Sequence, residues 1–143
     1  MIVWATVISL FSTHAFTADS TGRFIIPVLR WFFPHASLAS LERMHFFVRK
    51  TGHFTEYFIF SLLILRGIRA GRKKFRLAWM AIALLAVATY ASFDEFHQRF
   101  VPGRTAAVSD VVLDTIGGAF AQLAAGLVLL TVAVREKRTD KTA

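Results

Sequence analysis

Two stretches of this sequence carry no charged residue, and they limit the possible folds more than any other feature. Leu77 to Phe93 is 17 residues long, and Thr115 to Val134 is 20. About 20 predominantly apolar residues in a helix cross the hydrocarbon core of a bilayer. Strands of a membrane barrel would instead alternate apolar and polar residues over about ten positions, and neither stretch does so. Only 18% of the 143 residues are charged, against about a quarter in an ordinary soluble domain. The expected fold is all-α, a polytopic membrane protein forming one membrane domain over residues 1–143.

Four transmembrane helices are expected, over about 1–16, 51–68, 77–93 and 108–134. Met1 to Phe16 is apolar but follows no basic region, and Thr13–His14–Ala15 is a poor cleavage site, so it reads as a short first helix rather than a signal peptide. Residues 17–50 are too apolar for a loop in water, with Phe24, Ile25, Ile26, Trp31, Phe32 and Phe33 in one run. Pro27 and Pro34 are expected to interrupt any long helix there. The segment therefore reads as interfacial or re-entrant, with Arg23, Arg30 and Trp31 at headgroup level. Leu38, Leu41, His45 and Val48 recur at helical spacing, with Ser37 or Ser40 as N-cap.

Charge sets the orientation. Residues 66–76 hold Arg66, Arg69, Arg72, Lys73, Lys74 and Arg76 and no acidic residue. The positive-inside rule puts this connection in the cytoplasm. Alternation then places both termini inside, with Arg135, Lys137, Arg138 and Lys141 in the tail, and residues 17–50 outside. The net charge of +8 raises the question of nucleic acid. No segment is long and polar enough to form a soluble basic face, so no nucleic-acid partner is expected; lipid phosphates account for the charge. With no cysteine, thiol chemistry and Cys-based metal sites are excluded.

Polar groups interrupt the apolar windows in three places. Lys50, His53, Glu56 and Tyr57 open the second helix, with Lys50, His53, Tyr57 and Phe60 on one face. Asp94, Glu95, His97 and Gln98 close the third. Ser109, Asp110 and Asp114 open the fourth, where Asp110, Asp114, Gly117, Ala121 and Ala125 form one stripe whose small residues suit close helix packing. The topology brings all three groups to one depth on the outer side. Ionisable groups within a membrane segment are costly, so they should face each other or a wet cavity. Lys50, Arg99 and Arg104 can pair with the carboxylates, with Pro102–Gly103 as the turn that folds Arg104 back.

The order Lys50-x-x-His53-x-x-Glu56-Tyr57, then Asp94-Glu95-x-x-Gln98-x-Phe100-x-Pro102-Gly103-Arg104, then Asp110-x-x-x-Asp114-x-x-Gly117 resembles the VanZ-like family. The resemblance runs from about residue 48 to 125. It implies a multispanning protein of the bacterial cytoplasmic membrane, in a family whose namesake is linked to low-level teicoplanin resistance. Asp114 stands where the family commonly has Asn, and Ala121 where a second Gly is expected.

Three uses of the polar layer are open at this point. As a recognition site, Lys50, His53, Tyr57, Asp94, Glu95, Gln98, Arg104, Asp110 and Asp114 would bind an amphiphile, a lipid-linked envelope precursor or a lipoglycopeptide, alongside ordinary membrane lipids. As a catalytic site, His53, Glu56, Asp94, Glu95 and Asp110 would carry acid–base chemistry on a lipid head group. As scaffolding, the layer would be a salt-bridge network. His53-x-x-Glu56 would also begin a metal half-site, completed by His97 and Asp94 or Asp110. No second motif has zinc-site spacing, so neither a metal nor another cofactor is expected. Recognition is the preferred reading, and the oligomeric state is left open.

Overall fold

The computed structural model describes residues 2–72, 76–104 and 106–139. Met1, Lys73, Lys74 and Lys141, which the helix and topology expectations use, lie outside the described residues. Five α-helices occur in the described residues, with no strand: α1 (Ile2–Phe11), α2 (Ala18–Phe32), α3 (Leu38–Arg69), α4 (Leu77–Gln98) and α5 (Val108–Thr139). A 3₁₀ turn, His14–Phe16, links α1 and α2.

The first helix is shorter than its apolar run. The Thr13 hydroxyl donates to the Leu10 carbonyl at 2.7 Å, a local bond that competes with the helical ladder. Thr17 then caps the next helix, accepting from the Ser20 N–H at 3.3 Å. At 1.5 Å rise per residue α1 is about 15 Å long, roughly half the thickness of a hydrocarbon core.

The segment expected to be broken by Pro27 is helical over all of Ala18–Phe32. Pro27 and Arg23, the residue whose carbonyl loses its partner, both lie on the exposed side of α2, while Gly22 is buried. The second predicted helix likewise starts earlier, at Leu38 instead of Thr51, with Ser37 as its N-cap. The apolar window marks only the half of α3 that suits a membrane, because the polar half is equally helical. α3 ends where Ala70 turns left-handed, with φ 45°, and Gly71 follows at φ 77°. α4 continues past Phe93 to Gln98.

α4 and α5 are each long and apolar enough to cross a membrane. Only 22% and 28% of their apolar windows are buried inside the protein, whereas a core helix of a soluble protein would be mostly covered. Leu85, Phe93, Phe120, Leu123 and Leu127 project outward, as expected for side chains that meet lipid.

Small residues bring α3, α4 and α5 together. A Cβ at Gly117 would stand 2.5 Å from the Phe54 carbonyl oxygen, and one at Gly118 would stand 2.8 Å from Val87 Cγ1. Asp114, Gly117 and Ala121 are buried and Asp110 and Ala125 half-buried, so the expected stripe does face its neighbours. The Ser61 hydroxyl donates to the Gly118 carbonyl at 3.0 Å, and Gln122 Nε2 reaches Ser61 Oγ at 2.6 Å. Ile8, Tyr57, Phe60, Ile64, Leu65, Ala83, Val87 and Ala91 form the core beside this seam.

Candidate functional site

Tyr57, Asp94 and Asp114 belong to three different helices, yet all are buried at the same end of the bundle. α3 passes this end at Lys50–Tyr57, α4 arrives there with Asp94–Gln98 and α5 departs from it with Asp110 and Asp114, so the three polar groups meet. The described contacts divide them into a sealed part and an open part.

Asp94 is the centre of the sealed part. Its carboxylate oxygens lie 2.6 and 2.7 Å from the Ser12 hydroxyl. Gln98 Nε2 donates to it at 3.0 Å, and the Tyr57 hydroxyl approaches at 3.4 Å. Tyr57 itself is fully buried. This one carboxylate ties α1, α3 and α4 together. Ser12 had no place in the sequence reading: its partner is 82 residues away, and the only local signal is a hydroxyl at the end of an apolar run.

Glu95 accepts from the Ala107 backbone N–H, which secures the loop into α5. In that loop, Gly103 has φ 78° and the Arg104 N–H donates to the Val101 carbonyl at 3.2 Å. Pro102 at the second position and a left-handed Gly103 at the third fit a type II turn, and Arg104 folds back as expected. It makes none of the described ion pairs. Its guanidinium donates to Gln98 Oε1 at 3.3 Å and to the Phe11 carbonyl, leaving Nε buried without a partner. Arg99 is exposed and makes none of the described ion pairs, contrary to the pairing expected of it.

The open part begins with Lys50, which forms an ion pair with Asp110. His53 Nδ1 is 3.6 Å from Asp114 Oδ1, beyond hydrogen-bond range, and both atoms are buried without a partner. Glu56 is half-buried, and its backbone carbonyl accepts from Trp4 Nε1 at 3.0 Å. Its side chain faces a cavity of about 200 Å³ also lined by Phe11, Phe16, Ile25, Val48, Arg49 and Arg104. A second cavity, about 170 Å³, is lined by Arg49, Lys50, His53, Gln98, Arg104 and Asp110. His53, Arg49 and Arg104 border both. Ser109 is exposed and donates to Asp110 at 3.2 Å. His97 is exposed, and among the described residues no three His, Asp or Glu side chains converge as metal ligands would. The metal half-site is therefore not assembled by these residues.

Arg49 belongs to none of the motifs that the sequence singles out. It is half-buried and, like Arg104, makes none of the described ion pairs. Burial first, and then the neighbouring Arg49 charge, lower the Arg104 pKa from its ordinary value, against the opposing pull of the Asp94, Glu95 and Glu56 carboxylates. Two guanidinium groups thus border both cavities, and neither is in a described ion pair. An anion placed between them would supply the missing partner.

A family model described as VanZ/LLP1 matches residues 1–130, so the likeness takes in α1 and α2 as well as the motifs. Neither a curated protein nor a solved structure matches the chain significantly.

Proposed function

The chain belongs to the VanZ/LLP1 family, and from that premise we propose that it binds an anionic amphiphile or lipid-linked envelope component at this polar mouth. Family and apolar helices together point to a membrane protein. In our reading residues 1–143 form one multi-pass domain of the bacterial cytoplasmic membrane, with the basic connection and both termini inside. α1, the second half of α3, α4 and α5 are the four crossings, and the shortness of α1 is met by local thinning of the bilayer. The polar mouth then opens to the outer face, where envelope precursors and lipoglycopeptides are found. Family membership fits a role in teicoplanin resistance, and sequestering or presenting such a ligand would alter susceptibility.

The observation that carries the proposal is the pair Arg49 and Arg104, which border both cavities and make none of the described ion pairs. Phe11, Phe16, Ile25 and Val48 beside them give an acyl chain an apolar surface. A second reading, a membrane enzyme acting on a lipid head group, is favoured by His53 and Asp114, whose facing atoms are buried, 3.6 Å apart and without a hydrogen bond. An imidazole facing a carboxylate in this way is placed to exchange a proton with it.

Mass spectrometry of lipids retained by gently purified protein separates the two. Binding alone predicts the same anionic lipid, chemically unchanged, with wild type and His53→Ala. A product present only with wild type would move the assignment to catalysis. Retention of no anionic lipid by either protein would remove the proposal.

A further inference from the structure

The opposite end of the bundle has a different cavity, one that the polar mouth does not explain. A groove of about 870 Å³ runs between the last turns of α3 and the middle of α5. Its walls are apolar: Leu62 and Leu65 on one side, Ala124, Ala125, Val128 and Leu129 on the other. Its rim is basic, formed by Arg66 and Arg69 where the chain turns through Ala70 and Gly71. Small side chains on α5 and the left-handed turn at Ala70–Gly71 leave this volume open.

Among the described residues the charge at the rim has no acidic counterpart. Arg69 donates to the Arg72 carbonyl at 3.0 Å, yet its Nε is buried without a partner. Arg66 is exposed and makes none of the described ion pairs. Arg72 and Arg76 lie 6.0 and 5.6 Å from the Trp79 ring, a cation–π cluster typical of headgroup depth. Residues 66–76 contain no acidic residue. The described carboxylates that make contacts, Asp94, Glu95, Asp110 and Asp114, are at the other end. An occupant must therefore be anionic at the rim and apolar along the wall.

We infer that this groove is a second lipid site, which holds an anionic phospholipid of the leaflet facing the basic connection. Its phosphate is taken by Arg66 and Arg69, and one acyl chain lies along Leu62, Leu65, Ala124 and Val128. Such a lipid satisfies the buried Nε of Arg69 and fills the groove. It also helps fix the orientation of the chain, because the basic turn gains a specific anionic partner beyond the general surface potential. The inference rests only on residence in a membrane and is independent of what the polar mouth binds.

Native mass spectrometry of the full chain, released from micelles with added phosphatidylglycerol or phosphatidylcholine, tests it. Wild type should retain one more phosphatidylglycerol than Arg66→Gln does at equal lipid. The preference over phosphatidylcholine should fall about fivefold for each arginine removed, the effect of one cation beside an anionic surface. Arg66→Gln keeps the test valid should Arg69→Gln fold poorly, as Arg66 is exposed. Ala124→Leu, which fills the groove, should reduce both lipids. Arg104→Ala should leave this equivalent in place, so that failure at the mouth and failure at the groove are told apart. Equal retention of the two lipids, an unchanged preference in Arg66→Gln, or a dimer that excludes lipid from the groove would each overturn the inference.

Discussion

His45 shows how a single residue on a motif-free stretch can carry a testable charge effect. It is buried between α2 and α3, with Nε2 3.1 Å from the Thr21 hydroxyl and its ring against Gly22. Burial first, and then the Arg49 charge, lower its pKa from the ordinary 6.5. The unfolded chain therefore binds this proton more readily than the folded one, and stability rises with pH in that window. The contribution is full above pH 6.5 and is lost as the pH falls through the lower folded value. Thermal unfolding in detergent should show wild type losing more stability than His45→Gln between pH 7 and 5, with Arg49→Gln narrowing the gap. A wild type that gains stability on acidification relative to His45→Gln would contradict this. At this scale the sequence is legible where helical spacing does the work, in placing Lys50, His53 and Tyr57 on one face of α3, but not in which carboxylate of α4 or α5 each one meets. Ser12 and Arg49 are not legible, since one finds its partner through tertiary contact and the other looks like any surface arginine.

At the scale of elements, the seam between α3 and α5 depends on an absent side chain. Gly117 lets the Phe54 carbonyl come so close that a Cβ would be only 2.5 Å from it, and that neighbour is backbone that cannot swing aside. Gly117→Ala should cost roughly 1–3 kcal/mol, the range for overpacking a close contact, and Gly117→Leu more. Ala124 lies one residue-face away and is exposed, so Ala124→Leu should stay within about 0.5 kcal/mol. Thermal denaturation of the purified variants checks the contrast, and equal losses would remove the packing face. Small-residue spacing made this seam readable in advance, but helix lengths were harder to read. An apolar window reports what can lie in lipid, whereas the backbone of α3 is helical from Leu38, through polar and apolar residues alike. α2 persists through Pro27 because the unpaired carbonyl falls on an exposed turn, which no local rule specifies.

The whole molecule has a polar mouth at one end and a basic turn at the other, and this polarity implies an orientation. Because the chain contains no cysteine, single cysteines report exposure without background. Gly71→Cys should react with an impermeant thiol reagent only after cells are opened, and Ala36→Cys should react in intact spheroplasts. Labelling of Gly71→Cys from outside would reverse the proposed topology. The central claim, that the mouth is a site and not scaffolding, concerns the contrast between Asp94 and the two arginines. Asp94 is enclosed by Ser12, Tyr57 and Gln98, so Asp94→Asn should destabilise by about 1–3 kcal/mol, as expected for a buried network left short of partners. Arg49 and Arg104 face the cavities, where water can replace them. The most direct measurement is anionic lipid retained per folded protein in an Arg49→Gln, Arg104→Ala double variant, with folded yield measured on the same sample. The account predicts near wild-type yield with retention at the mouth lost. Collapse of the folded yield to the level of Asp94→Asn, or full retention by the double variant, would contradict it.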